Sequence, residues 1–200
     1  PASDDVHLTL SPEAESPFVG NRLTGKGVMV VDQSATSGAG IGLARRFTPP
    51  PVGDLYLGFD FRYDAPEGGP GLEPSCRLID EEGRGPSLIL GAGGRLKLVD
   101  LAGEVRDLAP LAPGNWYHLA MTVRGDAARI TLTDIRDVRV SIYKVEPKAG
   151  KSPQTFNVAP LELPQAITQL QFISSAPDEA TGSWMLDNVC MAGNVDAPRA

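Results

Sequence analysis

Asn115-Trp116-Tyr117-His118-Leu119-Ala120-Met121-Thr122-Val123-Arg124 is followed at once by Gly125-Asp126 and by the alternating run Ala128 to Asp134. In an extended chain successive side chains point to opposite faces, so Tyr117, Leu119, Met121 and Val123 share one face and Trp116, His118, Ala120 and Thr122 the other. Gly-Asp between two alternating runs is turn chemistry, and the whole stretch reads as a long β-hairpin.

The same period recurs upstream. In Leu55-Tyr56-Leu57-Gly58-Phe59-Asp60-Phe61-Arg62-Tyr63 the odd positions are apolar, whereas Tyr56, Asp60 and Arg62 lie on the opposite face. This is the pattern of a strand with one face on a core and the other on solvent or a groove. Further strands are expected near 28–32, 40–47, 54–63, 75–80, 87–90, 94–99, 104–108, 115–124, 127–134, 137–145, 167–174 and 183–192. Gly91-Ala92-Gly93-Gly94, Ala102-Gly103 and Pro113-Gly114 stand where hairpins must reverse, and connections that short force antiparallel pairing. The phase places Leu57, Phe59, Phe61, Leu119, Met121, Val123, Ile130, Leu132, Leu170 and Phe172 in the core between two sheets.

Composition agrees with this reading. The 200 residues contain 22 Gly and 18 Pro, as frequent turns require, and 42% are hydrophobic, enough for one core. We expect an irregular arm over 1–26 and a single all-β domain, a two-sheet antiparallel β-sandwich, over 27–200. Two segments interrupt the rhythm: 65–74, rich in Gly and Pro, and 147–164, which holds Pro147, Pro153, Pro160 and Pro164 and is expected as a long loop bordering any groove. A net charge of −7 with no basic cluster beyond Arg45-Arg46 argues against a nucleic-acid partner. No apolar run approaches the ~18 residues of a membrane span. Two cysteines, Cys76 and Cys190, make no disulfide framework and are expected as buried thiols, with pairing across the sandwich as the alternative. A start at Pro1 instead of Met suggests a mature chain after signal cleavage or one domain of a larger protein.

The spacing Trp116-x-His118-Leu119-Ala120-x-Thr122-Val123 resembles the hairpin of laminin-G-like and pentraxin-like domains, in the concanavalin A-like lectin/glucanase superfamily. The Phe59-Asp60-Phe61-Arg62 strand and the Asp187-Asn188-Val189 close extend that resemblance over about residues 27–192. It implies a jelly roll and a secreted, periplasmic or cell-surface location. It leaves function open, because this fold carries sugar binders, glycan-cleaving enzymes and structural modules.

The sequence lacks the catalytic signatures of this superfamily. Glycosidases of the superfamily carry Glu-x-Asp-x-x-Glu on one strand, and this chain has no such run; Asp80-Glu81-Glu82 precedes Gly83 and reads as a solvated turn. Alginate-lyase-like enzymes abstract a proton with Tyr or His beside an Arg. Arg62, His118 and Tyr56 could share a face, but the Arg-x-Glu-Leu-Arg, Gln-Ile-His and Tyr-Phe-Lys strands of those enzymes are absent. Ser37-Gly38-Ala39-Gly40-Ile41-Gly42 has Leu43 where a dinucleotide loop needs its third glycine, and it enters a strand instead of a helix.

Sugar recognition needs an exposed ring against a pyranose face and polar groups for its hydroxyls. The candidate ligand-binding residues are Tyr56, Asp60, Arg62, Trp116, His118 and Tyr143, with Trp184 as a further ring. In the closing strand Ser183 to Met191, either a polar side chain enters the core or the strand bulges. Asp187 is expected to accept backbone N–H groups from the N-terminal arm. The alternative is a structural calcium held by Asp187 and Glu15, with Glu13 or Asp32 contributing. No other cofactor is expected. The function expected is a non-catalytic recognition module for glycan; a hydrolase or lyase on the same fold and a structural or protein-docking domain are the alternatives.

Overall fold

The computed structural model describes residues 6–11, 16–18, 27–32, 41–64, 72–140, 144–175 and 182–193. They form two antiparallel sheets and a small ribbon. The larger, seven-stranded sheet has the order β1 (Val6–Ser11), β2 (Gly27–Asp32), β15 (Gly182–Gly193), β4 (Leu55–Asp64), β9 (Tyr117–Arg124), β10 (Ala127–Asp134) and β13 (Gln154–Val158). The six-stranded sheet has the order β3 (Ile41–Arg46), β14 (Gln169–Ser175), β5 (Glu73–Ile79), β6 (Ser87–Leu90), β7 (Arg95–Val99) and β8 (Val105–Pro110). β11 (Val138–Val140) and β12 (Val145–Pro147) pair as a separate ribbon.

The sheets pack face to face over one core. The ten residues that alternation assigns to it are all buried, and β9 repeats buried and half-buried positions along Tyr117–Val123. Aromatic rings knit the layers. Phe59 of the large sheet meets Phe172 of the small one edge-on, with ring centroids 5.0 Å apart, and Phe61 stacks on Tyr117 at 5.5 Å. The phenols at the rim find partners: Tyr63 donates to the Leu111 carbonyl at 3.1 Å, and the Tyr117 oxygen accepts from the Ala112 N–H at 2.8 Å.

Four expectations require correction. The arm over 1–26 is not wholly irregular, since Val6–Ser11 pairs with β2 at the edge of the large sheet. Segment 147–164 is not a loop throughout: Gln154–Val158 adds to β10 as an edge strand despite the flanking prolines, because none of those prolines falls inside the paired stretch. The single strand expected over 137–145 is the β11–β12 hairpin, whose connection lies outside the described residues. Trp184 is not a surface ring. It faces the core with Leu186 at 1% exposure, opposite Tyr63 of β4.

Both cysteines are free thiols. Cys76 is buried between the sheets, and that burial pushes its thiol pKa far up, so it is inert. Cys190, expected to be buried, is exposed.

Candidate functional site

The outward face of the large sheet carries the candidate residues. Register places Asp187 of β15, Asp60 of β4 and His118 of β9 in one transverse row, since Asp187 pairs with Asp60 and Asp60 with His118. Just past this row β15 bulges. Between Asp187 and Cys190 the chain gains one residue relative to Asp60–Gly58, and Asn188 adopts a left-handed φ of 53°. Asn tolerates that conformation better than other side-chain-bearing residues, and the bulge re-aims its amide onto the sheet.

The amide closes a network. Asn188 Nδ2 donates to Asp60 Oδ2 at 2.7 Å, while the Asn188 backbone N–H donates to Asp187 Oδ1 at 2.8 Å. His118 Nδ1 lies 2.6 Å from Asp60 Oδ1. A carboxylate only accepts, so in this contact the His118 Nδ1 donates. The second Asp187 oxygen accepts the Ser16 N–H at 2.8 Å, and the Ser16 hydroxyl accepts the Phe18 N–H at 3.1 Å. Asp187 therefore takes one backbone donor from the N-terminal arm, as expected, and the other from its own strand. Among the described residues no group of three His, Cys, Asp or Glu side chains is arranged to hold a metal ion. Glu13, Glu15 and the side chain of Asp32 lie outside the described residues, as does Tyr143.

Residues 16–18 lie over one end of this face. Phe18 packs with Trp116, Met185 and Val138 in a second small core, and its ring sits 5.9 Å from that of His118. Trp116 is on the outward face, as its phase requires, but it is only 8% exposed and is not an open platform. Asp60 is likewise sealed, with an exposure of 0%. A carboxylate so buried, and already hydrogen-bonded at both oxygens, cannot flank a substrate as hydrolytic acid or nucleophile.

Toward the other end the face is open. Tyr56 is half-buried and lies across Gly58, two residues along the same strand: a Cβ at Gly58 would fall 2.7 Å from the Tyr56 hydroxyl and 3.2 Å from the ring. Glycine at 58 thus leaves room for the ring to lie down on the sheet. Burial, then the charges of Cys190 and Asp60, raise the Tyr56 phenol above its ordinary 10.0. Arg62 stands on this face but is engaged with Asp64 at 2.9 Å.

Beyond Tyr56, the row continues through Thr122 of β9 and Arg129 of β10 to Asn157 of β13. Thr122, Arg129 and Asn157 line a cleft of about 430 Å³. The structure therefore brings together Tyr56, Asp60, Arg62 and His118, closes Asp60 and Trp116 from solvent, and adds Asn188, Thr122, Arg129 and Asn157. Alternation signalled two of these four: Thr122 shares the face of His118, and Arg129 sits between apolar Ala128 and Ile130.

No protein-family model matches the sequence, and no curated protein matches it. Solved structures do. The GH131 beta-glucanase catalytic domain from Podospora anserina superposes with a TM-score of 0.61 at 12% identity, covering 94% of this chain and 80% of that one. Alginate lyase A1-II', a member of polysaccharide lyase family 7, gives 0.51 at 11% identity, covering 86% and 82%. A sialidase gives 0.55 at 14% identity over 86% of this chain, which spans only 16% of that protein. The chain is a concanavalin A-like jelly roll of two antiparallel sheets. Identities this low define architecture and leave chemistry to the site.

Proposed function

We propose that this chain is a non-catalytic, extracytoplasmic recognition module that binds glycan across the open part of the large sheet. The observation that carries the reading is the Tyr56 ring laid over Gly58 beside a cleft. An aromatic ring held down by the sheet offers an apolar surface at little entropic cost; the hydroxyl of Thr122 stands beside it for a ring-bound sugar, and the amide of Asn157 stands farther along the row for a later residue of the chain. The fold's occurrence in a beta-glucanase and an alginate lyase supports a glycan ligand. The sealed state of Asp60 and Asp187 supports binding without hydrolysis. No helix among the described residues is long and apolar enough to cross a membrane.

The test is a glycan array followed by calorimetry on hits. Tyr56→Ala should abolish binding while leaving the melting temperature near that of the parent chain. Stacking contacts contribute ~0.5–1.5 kcal/mol beyond area burial, so a loss of roughly threefold to tenfold is the minimum expected. Unchanged binding by Tyr56→Ala would overturn the reading.

One observation favours a second reading. The His118–Asp60 contact of 2.6 Å orients an imidazole on the same face as Tyr56, a pairing that a lyase removing a proton next to a carboxylate would use. Ultraviolet absorbance of an unsaturated product, lost in His118→Ala, would establish it in place of the binding role.

A further inference from the structure

We infer that the glycan taken by this face is acidic, and that Arg129 receives its carboxylate. The inference rests on the proposed glycan-binding role and names the class of sugar. Among the described residues, the other arginines on and beside the open face are neutralised. Arg62 is paired with Asp64 at 2.9 Å, and Arg124, at the mouth of the cleft, with Asp54 at 3.0 Å. Arg129 is exposed, lines the cleft, and has no ion pair or hydrogen bond among the described residues.

Its position is suited to the role. Arg129 stands in the transverse row between Thr122 and Asn157, two strands from Tyr56. Strands lie ~4.8 Å apart, which puts Arg129 about 10 Å along the row from the stacking ring. A chain crossing the strands would rest one ring on Tyr56 and present a later residue to Arg129. The planar guanidinium forms two parallel N–H···O bonds with a carboxylate, and a flanking hydroxyl and amide can take the neighbouring sugar hydroxyls. The chain as a whole carries a net charge of −7, so its surface at large repels a polyanion, and an uncompensated cation on the open face localises it there.

The experiment compares two probes by calorimetry: a tetramer of a hexuronate, and the same tetramer with its carboxyl groups reduced to primary alcohols. Binding of the hexuronate should weaken roughly tenfold in Arg129→Gln, and the reduced tetramer should bind the parent chain as weakly as the hexuronate binds the variant. Arg129→Lys should recover only part of the affinity, and added salt should weaken the hexuronate alone. Circular dichroism of both variants should match the parent, since the side chain is exposed. Equal binding of the two tetramers, or no effect of Arg129→Gln, overturns the inference and leaves the Tyr56 platform standing. Failure of both tetramers and of every neutral glycan overturns the two together.

Discussion

Asn188 reaches Asp60 across the β15–β4 pair, its Nδ2 2.7 Å from Asp60 Oδ2, from a backbone position that requires positive φ. The conformation and the hydrogen bond are separable by substitution. Asn188→Gly keeps the conformation and removes the donor, which leaves a buried carboxylate oxygen short of a partner at a cost of about 1–3 kcal/mol. Asn188→Ala adds backbone strain of ~1 kcal/mol or more. Urea denaturation should rank the two in that order, and equal stabilities would show that the bulge does not hold its left-handed residue.

Phe59 has no exposed surface and meets Phe172 across the sandwich. Phe59→Ala should lower stability by ~3–5 kcal/mol, measured by chemical denaturation. A near-parental midpoint would contradict the strand phase on which the core rests.

Gly58 and Tyr56 predict a spectroscopic result. The phenol, raised by burial and by the charges of Cys190 and Asp60, should titrate above 10.0, and the difference between parent and Tyr56→Phe spectra isolates it. Gly58→Ala should lift the ring and bring that titration back toward 10.0 while weakening glycan binding. A group whose pKa is raised on folding contributes stability that is present below its unfolded value and lost as pH rises through the folded one. Tyr56→Phe should therefore remove part of the alkaline decline in stability.

Asp187 accepts the Ser16 and Asn188 N–H groups, one on each oxygen. With both oxygens engaged by backbone donors, a chelator followed by added calcium should leave the melting temperature unchanged. Asp187→Ala should instead release residues 16–18 and expose Trp116. Acrylamide quenching of tryptophan fluorescence should rise in that variant, with Trp184 still protected in the core.

Asp80 supplies an acid-range prediction. Hydrogen bonds from the Arg84 backbone, then from its guanidinium, hold the Asp80 carboxyl below its ordinary 3.8. A pKa depressed by folding contributes stability that is present above the unfolded value and lost as pH falls through the folded one. Asp80→Asn should destabilise the chain at neutral pH, and its deficit should shrink as pH drops below 3.8. A deficit constant across that window would mean that the turn depends on shape and not on charge.

Alternation alone placed ten residues of the core, because each lies in a strand whose two faces differ in polarity. It also put Tyr56, Asp60, Arg62 and His118 on one face. What it could not register is cover arriving from elsewhere in the chain. Trp116 has the phase of a surface ring, yet Phe18, Val138 and Met185 meet over it. The bulge after Asp187 changes the phase within β15, so Trp184 and Leu186 face the core while Cys190, two residues beyond Asn188, is exposed, and no single alternation describes the strand. β13 was hidden by its prolines, and Arg129 looked like any exposed charge until the register set it beside Thr122 and Asn157.

β15 lies between β2 and β4, so the strand made last among those described is inserted into the middle of the large sheet. Until it emerges from the ribosome, β2 and β4 each keep an open edge, and the core lacks Trp184 and Leu186. The β5–β8 part of the small sheet pairs in sequence order and can form while synthesis continues, whereas β14 joins it to β3 late and the large sheet is completed only after β15. Ribosome-stalled chains ending before residue 182 should therefore display unpaired strand edges and need chaperone protection, although the Tyr56–Arg129 half of the face has already been translated.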